Sequence, residues 1–376
     1  MRVVVLKEIA EGEKRVAAVP ATVEKMVKAG LEACLESEAG LAAGFRDGEY
    51  REAGAQVAAG RDAALERADL VLKVQRPLPL DGRHELDRFP EGTALIAHGL
   101  RPRDDAELAE KLRSRRITAL SLDLVPRIAR AQDMDVLSSM ANIAGYKSVL
   151  LAANALGKFF PMLMTAAGTV LPAKVFVLGA GVAGLQAIAT ARRLGAVVTG
   201  FDIRPAVKEQ VESLGARFVA VGLEEHAEDA KGYAKEVSAD AARKERELIA
   251  QELKTTDVCI TTALVPGKRA PVLVTGEMVK AMRMGSVIVD LAAEQGGNCE
   301  LTEPGKEIVN HGVRILGPVN LVSAMAFQSS QLYARNVLNF LLHLYDKQGR
   351  KLVLDGGDEI VKACLVARGG EPLQPV

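Results

Sequence analysis

Between Lys174 and Asp202 the chain reads strand, glycine turn, helix, strand. Val175 to Leu178 is a short apolar run of the kind that forms a buried parallel strand. Gly179-x-Gly181-x-x-Gly184 supplies the turn, and Ala187 to Leu194 continues as a small-residue helix. Val197 to Phe201 is the next strand, with Asp202 at its end. Parallel neighbours need a crossover, so this segment commits its part of the chain to a doubly wound α/β sheet.

Each glycine has its own physical role: the first permits the tight turn, the second lets backbone approach a pyrophosphate, and the third lets helix and strand pack closely. The unpaired N–H groups at the helix start then face the phosphates, where the helix dipole favours negative charge. Asp202 stands roughly 20 residues beyond the turn, where an acidic side chain accepts the hydroxyls of an adenine ribose. Together these predict dinucleotide binding; the alternative is a tight strand-to-helix turn in a sheet that binds nothing. A carboxylate at position 202 repels the 2′-phosphate of NADP and favours NAD(H), whereas Arg204 is the residue type that would hold such a phosphate. The acid sits at the strand end itself, so NAD(H) is the expected ligand.

With 376 residues the chain exceeds the usual single-domain size, and two domains are expected. Its 48 basic and 48 acidic residues cancel and no polybasic block occurs, which argues against nucleic acid or a lipid surface as partner. Cys34, Cys259, Cys299 and Cys364 are scattered without C-x-x-C spacing, as in a reduced cytosolic protein with no metal site. Met1 to Glu8 is too short an apolar run for a signal peptide and reads as a strand. The most apolar region, Phe159 to Leu185, is broken by Pro161, Gly168, Pro172, Lys174 and the glycine turn. It holds no uninterrupted span of about 20 residues, so a soluble chain is expected.

Residues 2–7, 31–37, 69–75, 93–97 and 117–122 read as strands, with helices at Pro20 to Ala29, Tyr50 to Ala53 and Asp104 to Ser114. This alternation predicts an N-terminal Rossmann-like domain of residues 1–126, completed by 345–376. Residues 127–164 are expected to form a junction loop and linking helix, with Leu137, Met140, Ala144 and Val149 among its apolar positions at helical spacing. Residues 165–320 form the NAD(H)-binding Rossmann domain of six strands, and 321–344 a returning helix. The expected fold is therefore α/β: two Rossmann-like doubly wound parallel-sheet domains joined by long helices, with a cleft between them.

Three groups of residues are candidates for chemistry. Arg127, Gln132, Asp135 and Ser138 fall within twelve residues at the domain junction, able to hold a carboxamide, a ribose and a second charged ligand; the alternative is an N-capping loop using Asp133 or Asp135. Arg15, Lys73 and His98 lie near strand or loop ends of the first domain, where they would bind a small carboxylate or exchange a proton, or be ordinary polar residues. Asp290 and Glu294 end a strand of the nucleotide domain. The polar tract Leu223 to Glu247, with its helical second half, is either a surface excursion or a mobile lid.

Longer motifs carry a resemblance. Arg127-Ile128-x-Arg130-Ala131-Gln132-x-x-Asp135-x-Leu137-Ser138-Ser139, Ala141-Asn142-Ile143-Ala144-Gly145-Tyr146, the glycine turn, Phe201-Asp202-x-Arg204-Pro205, Gly232-Tyr233-Ala234-Lys235, Thr261-Thr262-Ala263-Leu264-x-Pro266-Gly267 and Gln328-Ser329-Ser330-Gln331-Leu332-Tyr333 span most of the chain. Over this length it resembles the soluble NAD(H)-binding component, domain I, of proton-translocating nicotinamide nucleotide transhydrogenases. In that family the component passes hydride from NADH to NADP⁺ on a partner, coupled to proton movement through a membrane component. The resemblance implies that Arg127 and Gln132 hold the nicotinamide carboxamide and its surroundings, supported by Asp135 and Ser138, with Arg127, Gln132 and Asp135 as the catalytic set. It implies further NAD(H) contacts at Ile128, Asp133, Gly179, Ala180, Gly181, Val182, Gly184, Asp202, Ile203, Arg204, Ala263 and Leu264, and a mobile loop carrying Gly232 and Tyr233.

The implied cofactors are NAD(H) on this chain and NADP(H) on the partner. The implied partners are an NADP(H)-binding component, a membrane-spanning component and a second copy of the chain in a homodimer. The implied location is cytoplasmic and peripheral to the inner membrane. Some relatives continue into transmembrane helices, whereas this chain stops at Val376 and is expected to receive its membrane part from others. The fold is also similar to alanine dehydrogenase, in which Arg15, Lys73 and His98 fall where the keto acid is bound and protonated. That family's catalytic aspartate falls on Glu294 here, and its interdomain loop lacks the Arg127, Gln132 and Asp135 set. The rival readings are an alanine-dehydrogenase-like NAD-dependent amino-acid dehydrogenase and a non-catalytic NAD-binding regulator.

Overall fold

A computed structural model of the chain describes residues 1–220, 239–264 and 268–373. They divide into two compact units, Met1–Met140 with Val322–Val376, and Ala141–Leu321. The division falls inside one continuous helix, Val136–Ala155, so the expected junction segment 127–164 is shared between the units.

In the first unit, parallel strands run in the order Thr118–Ser121, Ala94–Ala97, Leu70–Leu72, Arg2–Val5, Glu32–Glu36, Gln56–Ala58. The C-terminal strands Leu365–Arg368 and Glu371–Pro372 add antiparallel to the Thr118–Ser121 edge. Side chains alternate across a strand, and both faces are covered. Val3, Val5, Leu70 and Leu72 pack with Val337, Phe340 and Leu341 of the helix Ala326–Leu344, while Val4, Val71 and Leu95 pack with Leu108 and Leu112. Ala326–Leu344 therefore belongs to this unit's core rather than serving only as a returning link.

In the second unit the parallel strands run Arg217–Val219, Val197–Phe201, Lys174–Leu178, Val258–Thr261, Val287–Asp290, Val313–Leu316, the doubly wound order 3-2-1-4-5-6. Beyond the six expected strands lies a seventh, Glu307–Asn310, antiparallel to Val313–Leu316. Its Val309 is 67% exposed, so the run carries no buried alternation to mark it. The turn does mark it: His311 (φ 50°) and Gly312 (φ 78°) form a two-residue hairpin loop with both residues left-handed. The order reverses between Lys174–Leu178 and Val258–Thr261, and ligands of such sheets sit beyond the carboxyl ends of the strands at that point.

Among the described residues Val136–Ala155 is the one helix long and apolar enough to cross a membrane. Its Val149, Ala152 and Ala155 are buried in the second unit's core. Of the polar tract, the helical second half is present as Ala239–Leu253, and residues 221–238 lie outside the described residues.

Candidate functional site

The glycine turn has the geometry its spacing predicts. Gly179 is left-handed (φ 94°), and a Cβ there would lie 2.6 Å from the Thr262 hydroxyl. A Cβ on Gly184 would lie 1.8 Å from the Gly179 carbonyl oxygen, so only glycine lets this helix approach this strand. Gly181 is different: its φ is an ordinary −73° and a Cβ there would meet nothing within 4 Å. It caps the helix Val182–Arg193, leaving the first-turn N–H groups without a capping side chain. That combination suits an anionic diphosphate.

The two glycines should therefore fail differently. Gly184→Ala overpacks the turn at a cost of about 1–3 kcal/mol, a fall of about 2–10 °C in melting temperature for a unit of this size. Gly181→Ala should melt as the unsubstituted chain does but bind NADH at least about tenfold more weakly, since its methyl stands where the phosphate would come. Calorimetric melting and titration with NADH separate the two outcomes.

Asp202, 6% exposed, ends its strand with every acceptor position in use. Its Oδ2 accepts from the Ala180 N–H at 2.7 Å and from Arg204 Nη2 at 2.9 Å. Its Oδ1 accepts from the Arg204 N–H and from Arg204 Nε, both at 2.9 Å. The two opposing signals in the sequence thus meet as a fork of guanidinium on carboxylate. Ile203, between them, is half-buried against the apolar cluster beneath.

The loop after Val258–Thr261 closes on the same turn. Thr262 donates from Oγ1 to the Gly179 carbonyl at 3.0 Å. Asn298, fully buried, grips Ala263 on both sides: its Oδ1 accepts from the Ala263 N–H at 3.0 Å and its Nδ2 donates to the Ala263 carbonyl at 2.8 Å. Leu264 is exposed beyond it. Sequence reading missed Asn298; its position after left-handed Gly296 and Gly297 marks a turn, but its partner stands 35 residues away. Asp290 is no cleft acid: fully buried, it accepts from Thr261, Ala292, Cys299 and Thr302 and serves the structure. Glu294 likewise accepts from the Asn320 N–H.

In the first unit, Ala129–Met134 is a 3₁₀ turn with Ala131 and Met134 anchored in the core. Ile128 packs partly against the same core. Arg127, Gln132 and Asp133 are exposed. Asp135 accepts from the Ser138 N–H (2.9 Å) and hydroxyl (2.6 Å), capping Val136–Ala155. Asp135 thus serves as the cap, while the Gln132 amide makes no hydrogen bond among the described residues. Gly232 and Tyr233 lie outside the described residues, as do Pro266 and Gly267.

His98 lines a cavity. That cavity, about 660 Å³, is walled by Gln75, Arg76, His98, Arg101, Asp104 and Asp105. The His98 ring is 38% open to solvent yet has protein on its other sides; this burial, opposed by Asp123 at 3.8 Å, lowers its pKa. Lys73, expected at a cleft, is instead fully buried between Glu85 (2.9 Å) and Glu8 (3.3 Å), because a buried ammonium needs carboxylate partners.

Arg15 is committed to Glu13 through Nε (2.8 Å) and Nη2 (2.6 Å). Burial raises the Glu13 pKa, but the bonds from Arg15 and Gln75 outweigh it and bring the carboxyl to about 2. A folded value below the ordinary 4.5 contributes stability above pH 4.5 that is lost as pH falls toward 2. The contribution is on the order of 3 kcal/mol. Glu13→Gln should flatten that part of the acid-unfolding curve, and an unchanged slope would refute the assignment.

Family models match both halves of the chain: the N-terminal domain of alanine dehydrogenase/PNT over residues 4–144 and the C-terminal domain over residues 148–375. The chain is 49% identical to the first part of NAD(P) transhydrogenase subunit alpha of Rhodospirillum rubrum, over 100% of this chain and 98% of that relative. Of solved structures, a transhydrogenase from Sinorhizobium meliloti superposes with TM-score 0.88 at 43% identity, covering 99% of this chain and 100% of that one. An L-alanine dehydrogenase superposes with TM-score 0.83 at 30% identity, covering 100% and 97%. A glycine turn of nucleotide-binding geometry, full-length identity approaching one half and two matching domain models have one reading: the chain belongs to the alanine dehydrogenase/PNT family, on its NAD(P) transhydrogenase alpha-subunit branch.

Proposed function

We propose that this chain is the NAD(H)-binding component of a proton-translocating transhydrogenase and passes hydride between NADH on itself and NADP⁺ on a partner chain. The observation that carries the proposal is Gln132: an exposed amide with no hydrogen-bond partner among the described residues, on a turn whose neighbours are anchored in the core. A bound nicotinamide supplies the hydride chemistry itself. Transfer from one nicotinamide to another needs no protein acid or base, so the residues act by binding and orientation. The N–H groups after Gly181 hold the diphosphate, Asp202 the adenine ribose, and Arg127 and Gln132 the carboxamide, with Asp135 fixing the start of the helix behind them.

The partners in this reading are an NADP(H)-binding chain and a membrane-spanning chain that moves the proton, with a second copy of this chain as homodimer partner. The working location is the cytoplasmic side of the inner membrane. The Rhodospirillum rubrum relative supports the multi-chain part of this reading, being named as one portion of a subunit.

The His98 cavity favours a second reading, an amino-acid dehydrogenase. Against it, neither Arg15 nor Lys73 lines that cavity, and each is held by carboxylates. One experiment separates the readings: NADH oxidation with an NADP⁺-loaded partner component, and separately with pyruvate and ammonia. Turnover with the partner is expected. Turnover only with pyruvate would establish the dehydrogenase, and binding of NADH without either reaction would establish a regulator.

A further inference from the structure

Deepening that reading and resting on it, we propose that Asn336 and Asn339 are positioning residues for hydride transfer. They hold the backbone of the Gln132 turn by its Asp133 carbonyl and so fix where the Gln132 amide points. Both stand on the helix Ala326–Leu344, one turn apart, and converge on a single atom: Asn336 Nδ2 donates to the Asp133 carbonyl oxygen at 2.7 Å and Asn339 Nδ2 at 3.1 Å. A carbonyl oxygen has two lone pairs, so this one is fully engaged. The Asp133–Met134 peptide, one residue beyond Gln132, is thereby held from the side.

The same helical face continues with His343, spaced i, i+3, i+7 from Asn336, as neighbours on one side of a helix must be. His343 Nε2 lies 2.9 Å from Asp358 Oδ2, and Asp358 accepts from Arg130 at 3.2 and 3.1 Å. Arg130 also donates to Glu359 at 3.3 Å. Arg130 and Asp133 flank Gln132 in sequence, so the turn is held on both sides of the Gln132 side chain.

The fold alone does not require these asparagines. Asn336 is 6% exposed, and its Oδ1 is buried with no hydrogen-bond partner among the described residues. An orphaned buried acceptor destabilises a protein, and a leucine of similar shape would remove that defect. What leucine would also remove is the grip on Asp133. Reacting atoms in hydride transfer must lie near contact, and misplacement by about 1 Å can lower a rate on the order of a hundredfold. A loop secured at one carbonyl by two donors is a means of avoiding such displacement.

The test uses the full chain with Asn339→Ala, whose half-buried site tolerates truncation, and Asn336→Leu, which keeps the volume. In the chain without nucleotide, hydrogen exchange at Ala131 to Asp135 should quicken at least about tenfold while the sheet amides are unchanged. With NADH and a saturated NADP⁺-bearing partner, single-turnover transfer should slow about tenfold with NADH affinity within about twofold. In a Gln132→Asn background the same substitutions should lower the rate by no more than about twofold further, because the residues act through Gln132. Unchanged exchange and an unchanged rate would overturn the inference. So would an undiminished loss in the Gln132→Asn background, which belongs to a purely structural role. Absence of transfer by the unsubstituted chain would overturn the function proposed above, a result distinct from transfer that the asparagine variants leave untouched.

Discussion

Gln132→Asn is expected to lower the rate of hydride transfer to an NADP⁺-bearing partner ten- to a hundredfold while leaving NADH affinity within about twofold. The substitution keeps the amide and withdraws it by one methylene, so it changes position and little else. Melting temperature should not move: the Gln132 side chain makes no hydrogen bond among the described residues, and the helix behind it is capped by Asp135. Single-turnover kinetics beside a melting curve are sufficient. A wild-type rate would remove Gln132 from the site, and a lower melting temperature with an unaltered rate per folded molecule would make it structural.

Asp202→Ala should weaken NADH binding about tenfold and reduce the preference for NADH over NADPH by more than that. A carboxylate–diol contact is charge-assisted and worth about 1.5–3 kcal/mol. In the proposed site the ribose hydroxyls would compete with the Arg204 fork instead of meeting an idle carboxylate, which places the expected loss at the low end, about 1.5 kcal/mol. The variant also removes the carboxylate that would repel a 2′-phosphate beside Arg204. Calorimetry with both nucleotides measures both effects. Equal affinities in the unsubstituted chain would withdraw Asp202 as the residue that discriminates.

What could be read from the sequence was whatever repeats locally. Apolar runs of four or five residues located the central strands, and glycine spacing located the turn, because both signals lie within one element. Strand Glu307–Asn310 escaped because Val309 faces solvent. The hairpin Leu163–Thr165 with Gly168–Val170 was hidden inside an apolar stretch. Asn298, Asn336 and Asn339 were invisible for a deeper reason: each acts through a side-chain bond to a distant backbone group, 203 residues away for Asn336, and no local pattern encodes such a pairing. Lys73 misled in the opposite direction, since a lysine at a strand end looks accessible until the buried Glu8 and Glu85 are seen around it.

The Arg204 fork on Asp202 also bears on how the nucleotide departs. A buried acid whose ligand leaves it bare resists dissociation, because an unpaired charge in a protein interior is unfavourable by several kcal/mol. In the proposed site Asp202 would meet no such penalty, for the guanidinium two residues away stands within ion-pair distance of it. The proposed site thus carries its own counter-ion and would yield its occupant readily. In the donor role proposed for this chain, which would trade spent nucleotide for fresh in every cycle, a short residence time would matter more than a firm grip, and this ion pair would favour the former.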